Sequence, residues 1–472
     1  MSFAEKFVQT AQRVLPSPFT IAILLTAFTV VLALLLTDSK TDELHLIEIL
    51  GYWEGGFFKF LTFAMQMMLI LVLGHVLALT RPANTAIQSL VKYCTSTAKA
   101  AYIVTLVSVF VALFNWGLAL VLGAIFARKV GEHAEENNIP LNYPLIGAAG
   151  YSGLMVWHGG LSGSAPLAVA EEAHKFAEQI GVVTFNNTIF STMNLVCMAL
   201  LLLLVPLGMY WMGKRLAPTV IRLRPSHIDD KSNEVSSDEI LDSAELLGKE
   251  DMMPEGAERL DYSPYLAWGL GGIMVFLGLY KVLIKPIWID GAGFDWQFRF
   301  INPNYIIFML FGLAILLHGS FKKFNQAVSE AIGGSAGIMI QFPLYAGIMG
   351  IMMSSGLVDV LSNVFVQISN STTFPIFTFF SAGMVNVFVP SGGGQWLVQG
   401  PILIEASQNL GVPIEKSIMA LCYGDQVTNM LQPFWALPLL GITGLKAKEI
   451  LPFTLYLLLL GSLIFCTVLL IF

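Results

Sequence analysis

Apolar runs long enough to cross a bilayer alternate along this chain with short charged segments, and that alternation sets out its elements. A spanning helix needs roughly 20 predominantly apolar residues. Runs of that kind cover residues 19–36, 57–79, 142–155 with a broken continuation to 170, 188–212, 262–283, 303–318, 335–356, 413–431 with a short continuation, and 451–472. Two further apolar stretches carry interruptions: 100–126, broken at Asn115-Trp116-Gly117, and 373–404, broken from Pro390 to Gln395. Ahead of the first run, Phe3, Phe7, Val8, Ala11, Val14 and Leu15 share one helical face opposite Glu5, Lys6, Gln9 and Arg13. That is the pattern of a helix lying on the membrane surface.

The loop charges decide how the interrupted stretches run. With the N-terminus inside, Lys6 and Arg13 face the cytoplasm, and the first external loop holds Asp38, Asp42, Glu43, Glu48 and Glu54 against Lys40 and Lys59. Arg81, Lys92, Lys99, Arg128 and Lys129 fall inside, and Glu171, Glu172 and Glu178 fall outside with Lys175. Lys214, Arg215, Arg222, Arg224, Lys322, Lys323, Lys446 and Lys448 return to the inside. This satisfies the positive-inside rule only if both interrupted stretches turn back as re-entrant hairpins. Residues 285–299 are the exception, balanced by Asp290 and Asp295, and the C-terminus emerges outside.

Composition agrees with this picture. The 472 residues are 56% hydrophobic and 12% charged, with a mean hydropathy of +0.71. A soluble domain carries about 25% charged residues, so the chain reads as an all-α polytopic membrane protein of about nine full spans plus hairpins. No basic run suggests nucleic acid, and the four cysteines (Cys94, Cys197, Cys422 and Cys466) are scattered as free thiols in apolar surroundings. The first apolar run is too long for a signal peptide core and is followed by acidic residues.

A polar linker, 214–261, divides the chain and reads as a solvated cytoplasmic tether. Residues 1–213 form a first unit, with a hairpin near 100–127 and a broken helix at 142–170. Residues 262–284 form a connecting span. Residues 303–472 form a second unit, with a hairpin at 373–408 and a broken helix at 413–442. Each unit runs spanning helix, spanning helix, broken hairpin, broken helix, spanning helix. Four crossings and the connecting span turn the second unit upside down, which is the inverted repeat of secondary transporters.

The breaks hold the candidate chemistry, because irregular backbone at membrane depth is tolerated only in protein or beside a wet cavity. Ser391-Gly392-Gly393-Gly394-Gln395 is a candidate anion cradle: glycines permit close approach, and helix N-termini leave N–H groups that favour an anion. Asn115, Trp116 and Gly117 form the matching tip, and each tip can also be read as helix packing. Asp425 is the acid near the middle of a second-half span, suited to a cation or proton or to capping the broken helix. Thr428 and Asn429, one turn on, would add oxygens around Na⁺. His158 and Ser162 lie in the first-half break. His158 could donate to a carboxylate, shuttle a proton or serve packing. His75 and His318 sit near span ends as structural residues, and Glu405 lies near the external surface. No Arg or Lys falls in the middle of a span, so a bidentate clamp for a dicarboxylate is absent. Trp157, Trp396, Phe434 and Trp435 add apolar surface, giving a small, singly charged, partly apolar substrate. An intramembrane enzyme would need a second acid at the depth of Asp425, and a channel needs no inverted hairpins.

The runs VNVFVPSGGGQWLVQGPILIEAS and YGDQVTNMLQPFWALPLLGI, with HGGLSGSAPL in the first half, resemble the bacterial short-chain fatty acid transporter family. That family, associated with acetoacetate and butyrate uptake, is a branch of the ion transporter superfamily. The resemblance implies two hairpins and two broken helices, scaffold and transport domains, a homodimer, elevator-like motion and coupling to a cation. It places solute and cation contacts by position at Asn115, Ser391 to Gly394, Thr428 and Asn429, although the superfamily's Ser-Asn-Thr tip is replaced here. The expectation is a secondary active transporter of the bacterial inner membrane, without cofactor or catalysis. It would take up a short-chain fatty acid anion with Na⁺ or H⁺; another small monocarboxylate or amino-acid-like anion is the alternative.

Overall fold

The computed structural model describes residues 18–59, 61–172, 174–218, 256–289, 291, 300 and 303–472. The leading amphipathic helix and most of the linker lie outside them. The first half contains α1 (Pro18–Leu36), α2 (His45–Phe57), α3 (Leu61–Ala78), α4 (Arg81–Val91), α5 (Thr97–Phe114) and α6 (Trp116–Glu136). It continues with α7 (Tyr143–Tyr151), two 3-10 turns (Ser152–Met155 and Trp157–Gly159), α8 (Ser164–Val169), α9 (Ala177–Ile180) and α10 (Thr192–Arg215). A connecting helix, α11 (Pro264–Leu279), runs on as a π-helix to Ile289. The second half contains α12 (Pro303–His318), α13 (Phe321–Ala331), α14 (Ala336–Ser355), α15 (Leu357–Gln367), α16 (Phe374–Phe388) and α17 (Gly392–Leu410). It ends with α18 (Ile414–Thr428), a 3-10 turn (Asn429–Leu431), α19 (Pro433–Thr443) and α20 (Ala447–Ile471).

Except for the four-residue α9, the element order of α1 to α10 recurs from α12 to α20. The two halves also exchange partners. Helix α14 of the second half packs against α1 and α2 of the first, and α3 of the first packs against α12 and α13 of the second. Where the core is tightest, glycine allows it. A Cβ on Gly424 of α18 would lie 2.0 Å from the Phe379 carbonyl of α16, and one on Gly123 of α6 would lie 2.1 Å from the Gly150 carbonyl of α7.

Both interrupted stretches break where the sequence predicts. Asn115 alone joins α5 to α6, and those two helices pack along each other. Val389 to Ser391 joins α16 to α17. One expectation is corrected: the stretch read as an external loop before residue 57 contains α2, which packs along α14. Its acids do not prevent a helix, because Glu48 is buried and receives hydrogen bonds from the Tyr52 hydroxyl (2.5 Å), the Ser39 hydroxyl (2.7 Å) and Lys40 N (3.1 Å). Among the described residues five helices are long and apolar enough to cross a membrane, and α14 with α15 makes a sixth bent by 65°. The helices that end at the two 3-10 breaks are short: α7 has nine residues and α18 fifteen.

Candidate functional site

The four breaks meet at one cavity of about 150 Å³. Trp116 opens α6 on one side, and Leu154, Trp157 and Ser164 follow from the first broken helix. Pro390, Ser391, Gly392 and Gly393 come from the second tip, with Asn429 and Trp435 from the second broken helix. Three tryptophans therefore wall a space bordered by the starts of two long helices. Trp116 packs edge-on to Trp435 (ring centroids 5.2 Å apart) and lies 6.1 Å from Trp157.

Each helix start is capped so that its first amides remain at the cavity edge. Asn115 Oδ1 accepts from Leu118 N at 2.9 Å, and Ser391 Oγ accepts from Gly394 N at 3.3 Å. Ser162 Oγ accepts from Trp116 N at 3.1 Å, tying the first tip to the first broken helix. The amides of Gly392 and Gly393 have no intrahelical acceptor, as at any helix N-terminus. Two N-terminal dipole ends beside one space favour an anion. No lysine or arginine lines the cavity.

Directly behind the wall, the two halves are joined by a buried pair. His158 Nδ1 lies 2.6 Å from Asp425 Oδ2, with both side chains sealed from solvent. His158 Nε2 accepts from Ala165 N at 3.1 Å, so the ring proton sits on Nδ1 and is donated to Asp425. The Gln426 side-chain carbonyl accepts from His158 N and Gly159 N at 2.8 and 3.1 Å. Trp157 stacks on the His158 ring with centroids 4.4 Å apart. A Cβ on Gly392 would fall 2.5 Å from His158 Cε1, so glycine is what lets the tip rest on the imidazole.

A second polar cluster sits at the end of α16. Asn386 Nδ2 donates to the Asp425 backbone oxygen (2.6 Å), Thr428 Oγ1 (3.0 Å) and Asn429 Oδ1 (2.9 Å). Gln432 Nε2 donates to the Asn386 backbone oxygen, and Asn386 Oδ1 is buried without a partner. Three oxygens thus surround one amide nitrogen, next to an orphaned carbonyl oxygen. Oxygens are the donors a hard cation such as Na⁺ takes, and in this structure the Asn386 nitrogen holds their centre. Among the described residues no three His, Cys, Asp or Glu side chains come together as a metal site.

The residues singled out from sequence divide between these features. Trp116, Ser391, Gly392, Gly393 and Asn429 line the cavity, with Asn115 and Ser162 holding its first tip and His158 immediately behind. Gly117 and Gly394 lie outside the lining, and so does Gln395, which donates to the Ala382 oxygen and to Gln399. Asp425 directs its carboxylate to His158 and only its backbone oxygen toward Thr428 and Asn429. Of the roles open to His158 from sequence, donation to a carboxylate is the one this geometry fits, with Asp425 as the acceptor. Trp157 and Trp435 join the wall, whereas Trp396 packs on Phe176 and Phe434 on Phe342. His318 Nε2 donates to the Val76 carbonyl oxygen (2.9 Å), in keeping with a structural role. Leu154, Ser164, Asn386 and Gln426 were not singled out. The last two carried a signal, being amides in apolar helices beside a break.

Comparison with known proteins adds the following. A family model described as short chain fatty acid transporter matches residues 2–472. A relative from Escherichia coli strain K12 is 35% identical over 464 residues, covering 98% of this chain and 97% of its own. One from Haemophilus influenzae is 34% identical over 464 residues, covering 96% of each. Both are provisionally designated short-chain fatty acid transporters. Among solved structures, the YdaH transporter of Alcanivorax borkumensis is 17% identical with a TM-score of 0.44, covering 96% of this chain and 98% of its own. MtrF of Neisseria gonorrhoeae, from a class described as antimetabolite efflux pumps, is 17% identical with a TM-score of 0.40, covering 98% and 97%.

Proposed function

The chain belongs to the short-chain fatty acid transporter family, a family of membrane transporters and not of enzymes, and from that premise we propose a secondary active transporter. It takes up a short-chain fatty acid anion such as butyrate or acetoacetate together with Na⁺ or H⁺. The observation that carries this reading is the cavity between the two helix starts. Its volume of about 150 Å³ equals that of an engineered cavity that takes up benzene, which sets a ligand of about six non-hydrogen atoms. Butyrate is of that size.

The chemistry of the lining supports the same class of solute. A carboxylate set against the Gly392 and Gly393 amides needs no lysine or arginine, while the three tryptophans suit a short alkyl tail. A dicarboxylate would leave its second charge against indole. Coupling to Na⁺ is assigned to the oxygens of Asp425, Thr428 and Asn429 with Asn386, one turn from the cavity wall. Coupling to H⁺ is assigned instead to the His158–Asp425 pair. The loop charges support placement in the bacterial cytoplasmic membrane, with the N-terminus inside and the C-terminus outside. The reading includes re-entrant hairpins at both tips, a homodimer, and an elevator-like motion of the site against flanking helices.

The test is uptake of labelled butyrate and acetoacetate into proteoliposomes, with the Na⁺ and pH gradients imposed separately. Accumulation driven by one of them is expected, and it names the coupling ion. No gradient-driven uptake of any short monocarboxylate would overturn the reading.

A further inference from the structure

A larger cavity, of about 260 Å³, lies across the Asn429–Pro433 turn from the substrate cavity. Asn429 lines the small cavity, and Met430 through Pro433 line the large one. The turn between them is clasped from both halves. Tyr151 donates its hydroxyl proton to the backbone oxygens of Asn429 (2.8 Å) and Gln432 (3.2 Å), and the Gln432 amide holds Asn386. Whatever occupies the large cavity therefore touches the same turn that shapes the small one.

Its lining has a direction. Lys448, exposed and without an ion pair among the described residues, sits at the first turn of α20, and Thr454 lies further along the same helix. Six residues of helix separate them by about 9 Å. Between them the wall is apolar, with Leu451, Met430 and Ile21 of α1 contributing. Gln432 is 5% exposed and lines this space, and its Oε1 is buried with no partner. A lone cation at one end of an apolar tube selects an amphiphile with an anionic head.

We propose that this cavity is a second site, for a medium-chain carboxylate whose head lies on Lys448 and whose tail fills the apolar space along Leu451, Met430 and Ile21. Scaled from the cavity that holds benzene, the volume takes roughly ten non-hydrogen atoms, so the ligand is an acid of about eight carbons, too long for the substrate cavity. Bound there, it holds the Asn429–Gln432 turn and slows transport without competing with substrate. That inhibitory consequence rests on the transport reading above; the binding does not.

The experiment has two parts on the full-length protein. Binding of radiolabelled octanoate to purified protein is measured directly, with and without excess butyrate, and for Lys448→Gln and Leu451→Trp. Saturable binding that butyrate leaves in place, weakened severalfold by Lys448→Gln and lost in Leu451→Trp, is the expected result. Displacement by butyrate would place octanoate in the substrate cavity and overturn the proposal. Unaltered binding in both variants, or no binding because a phospholipid acyl chain copurifies in the cavity, would overturn it too. In proteoliposomes octanoate should lower the maximal rate of butyrate uptake at unchanged KM, and Leu451→Trp should transport normally while resisting octanoate. If butyrate uptake itself is absent while octanoate still binds, the transport reading fails and the second site stands.

Discussion

At the scale of residues, the two tip glycines make different demands. A Cβ on Gly392 meets the His158 ring at 2.5 Å and Trp157 at 3.0 Å, and the His158 ring cannot retreat, since it is held at both nitrogens. A Cβ on Gly393 meets Ser164 Cβ at 3.5 Å, an ordinary contact that only narrows the cavity. Overpacking of this kind costs about 1–3 kcal/mol, so Gly392→Ala should lower kcat/KM for butyrate by roughly 5- to 150-fold. Gly393→Ala should raise KM with little change in kcat. Equal effects in the two variants would reject the placement of the tip. The His158–Asp425 pair yields a sharper test. A buried hydrogen bond assisted by charge contributes about 1.5–3 kcal/mol, so a double-mutant cycle of His158→Asn and Asp425→Asn should show coupling of about 2 kcal/mol in thermal unfolding. Additive losses would mean that the two side chains act separately.

At the scale of elements, α2 shows how a lock can be built from residues that read as loop. Glu48 accepts from Tyr52, Ser39 and Lys40, and Lys40 Nζ donates to the Ser354 carbonyl at 2.8 Å near the end of α14. Those donors, Tyr52 first, hold the Glu48 carboxyl below its usual range. A depressed carboxylate contributes stability above its unfolded-state pKa of about 4.3 and loses it as pH falls through the lower folded value. Unfolding of the detergent-solubilised protein should therefore steepen below about pH 4. Glu48→Gln should be less stable at neutral pH and lack that acid limb; an identical pH profile would show that the lock carries no weight. The same element marks where the sequence stops being legible. Gly, Pro and lone polar residues announce the breaks at Asn115, His158, Pro390 and Asn429, because apolar helices have no other use for them. Helix α2 gave no such signal: five acids between residues 38 and 54 outweigh a 13-residue amphipathic pattern when loops are assigned by charge. Nor could local pattern pair His158 with Asp425, which lie 267 positions apart and meet only through folding of both halves.

At the scale of the whole molecule, the exchange of partners between halves groups the helices into two sets. Helices α1, α2, α12 and α13 embrace α14 and α3, whereas the cavity is built by α6, α8, α17 and α19 with the turns after α7 and α18. The two sets touch along α14 with α19 and along α3 with α6. If the site travels against its flank, those contacts must slide. Gly337 on α14 and Leu437 on α19 offer a place to stop them, since a Cβ built on Gly337 would lie 3.9 Å from Leu437 Cβ. That separation falls within the range of about 3.5–4.5 Å that a disulfide spans without strain. The pair Gly337→Cys with Leu437→Cys, oxidised in proteoliposomes, should abolish butyrate uptake and recover it on reduction, while each single variant stays active under the same oxidant. The native thiols do not confound this, because Cys94, Cys197 and Cys422 are buried and the single variants control for Cys466. Butyrate binding to the oxidised protein should persist, as the bridge replaces none of the residues that line the cavity. Full uptake with the bridge closed would mean that α14 and α19 move as one, and the sliding surface would then have to be sought at α3 and α6.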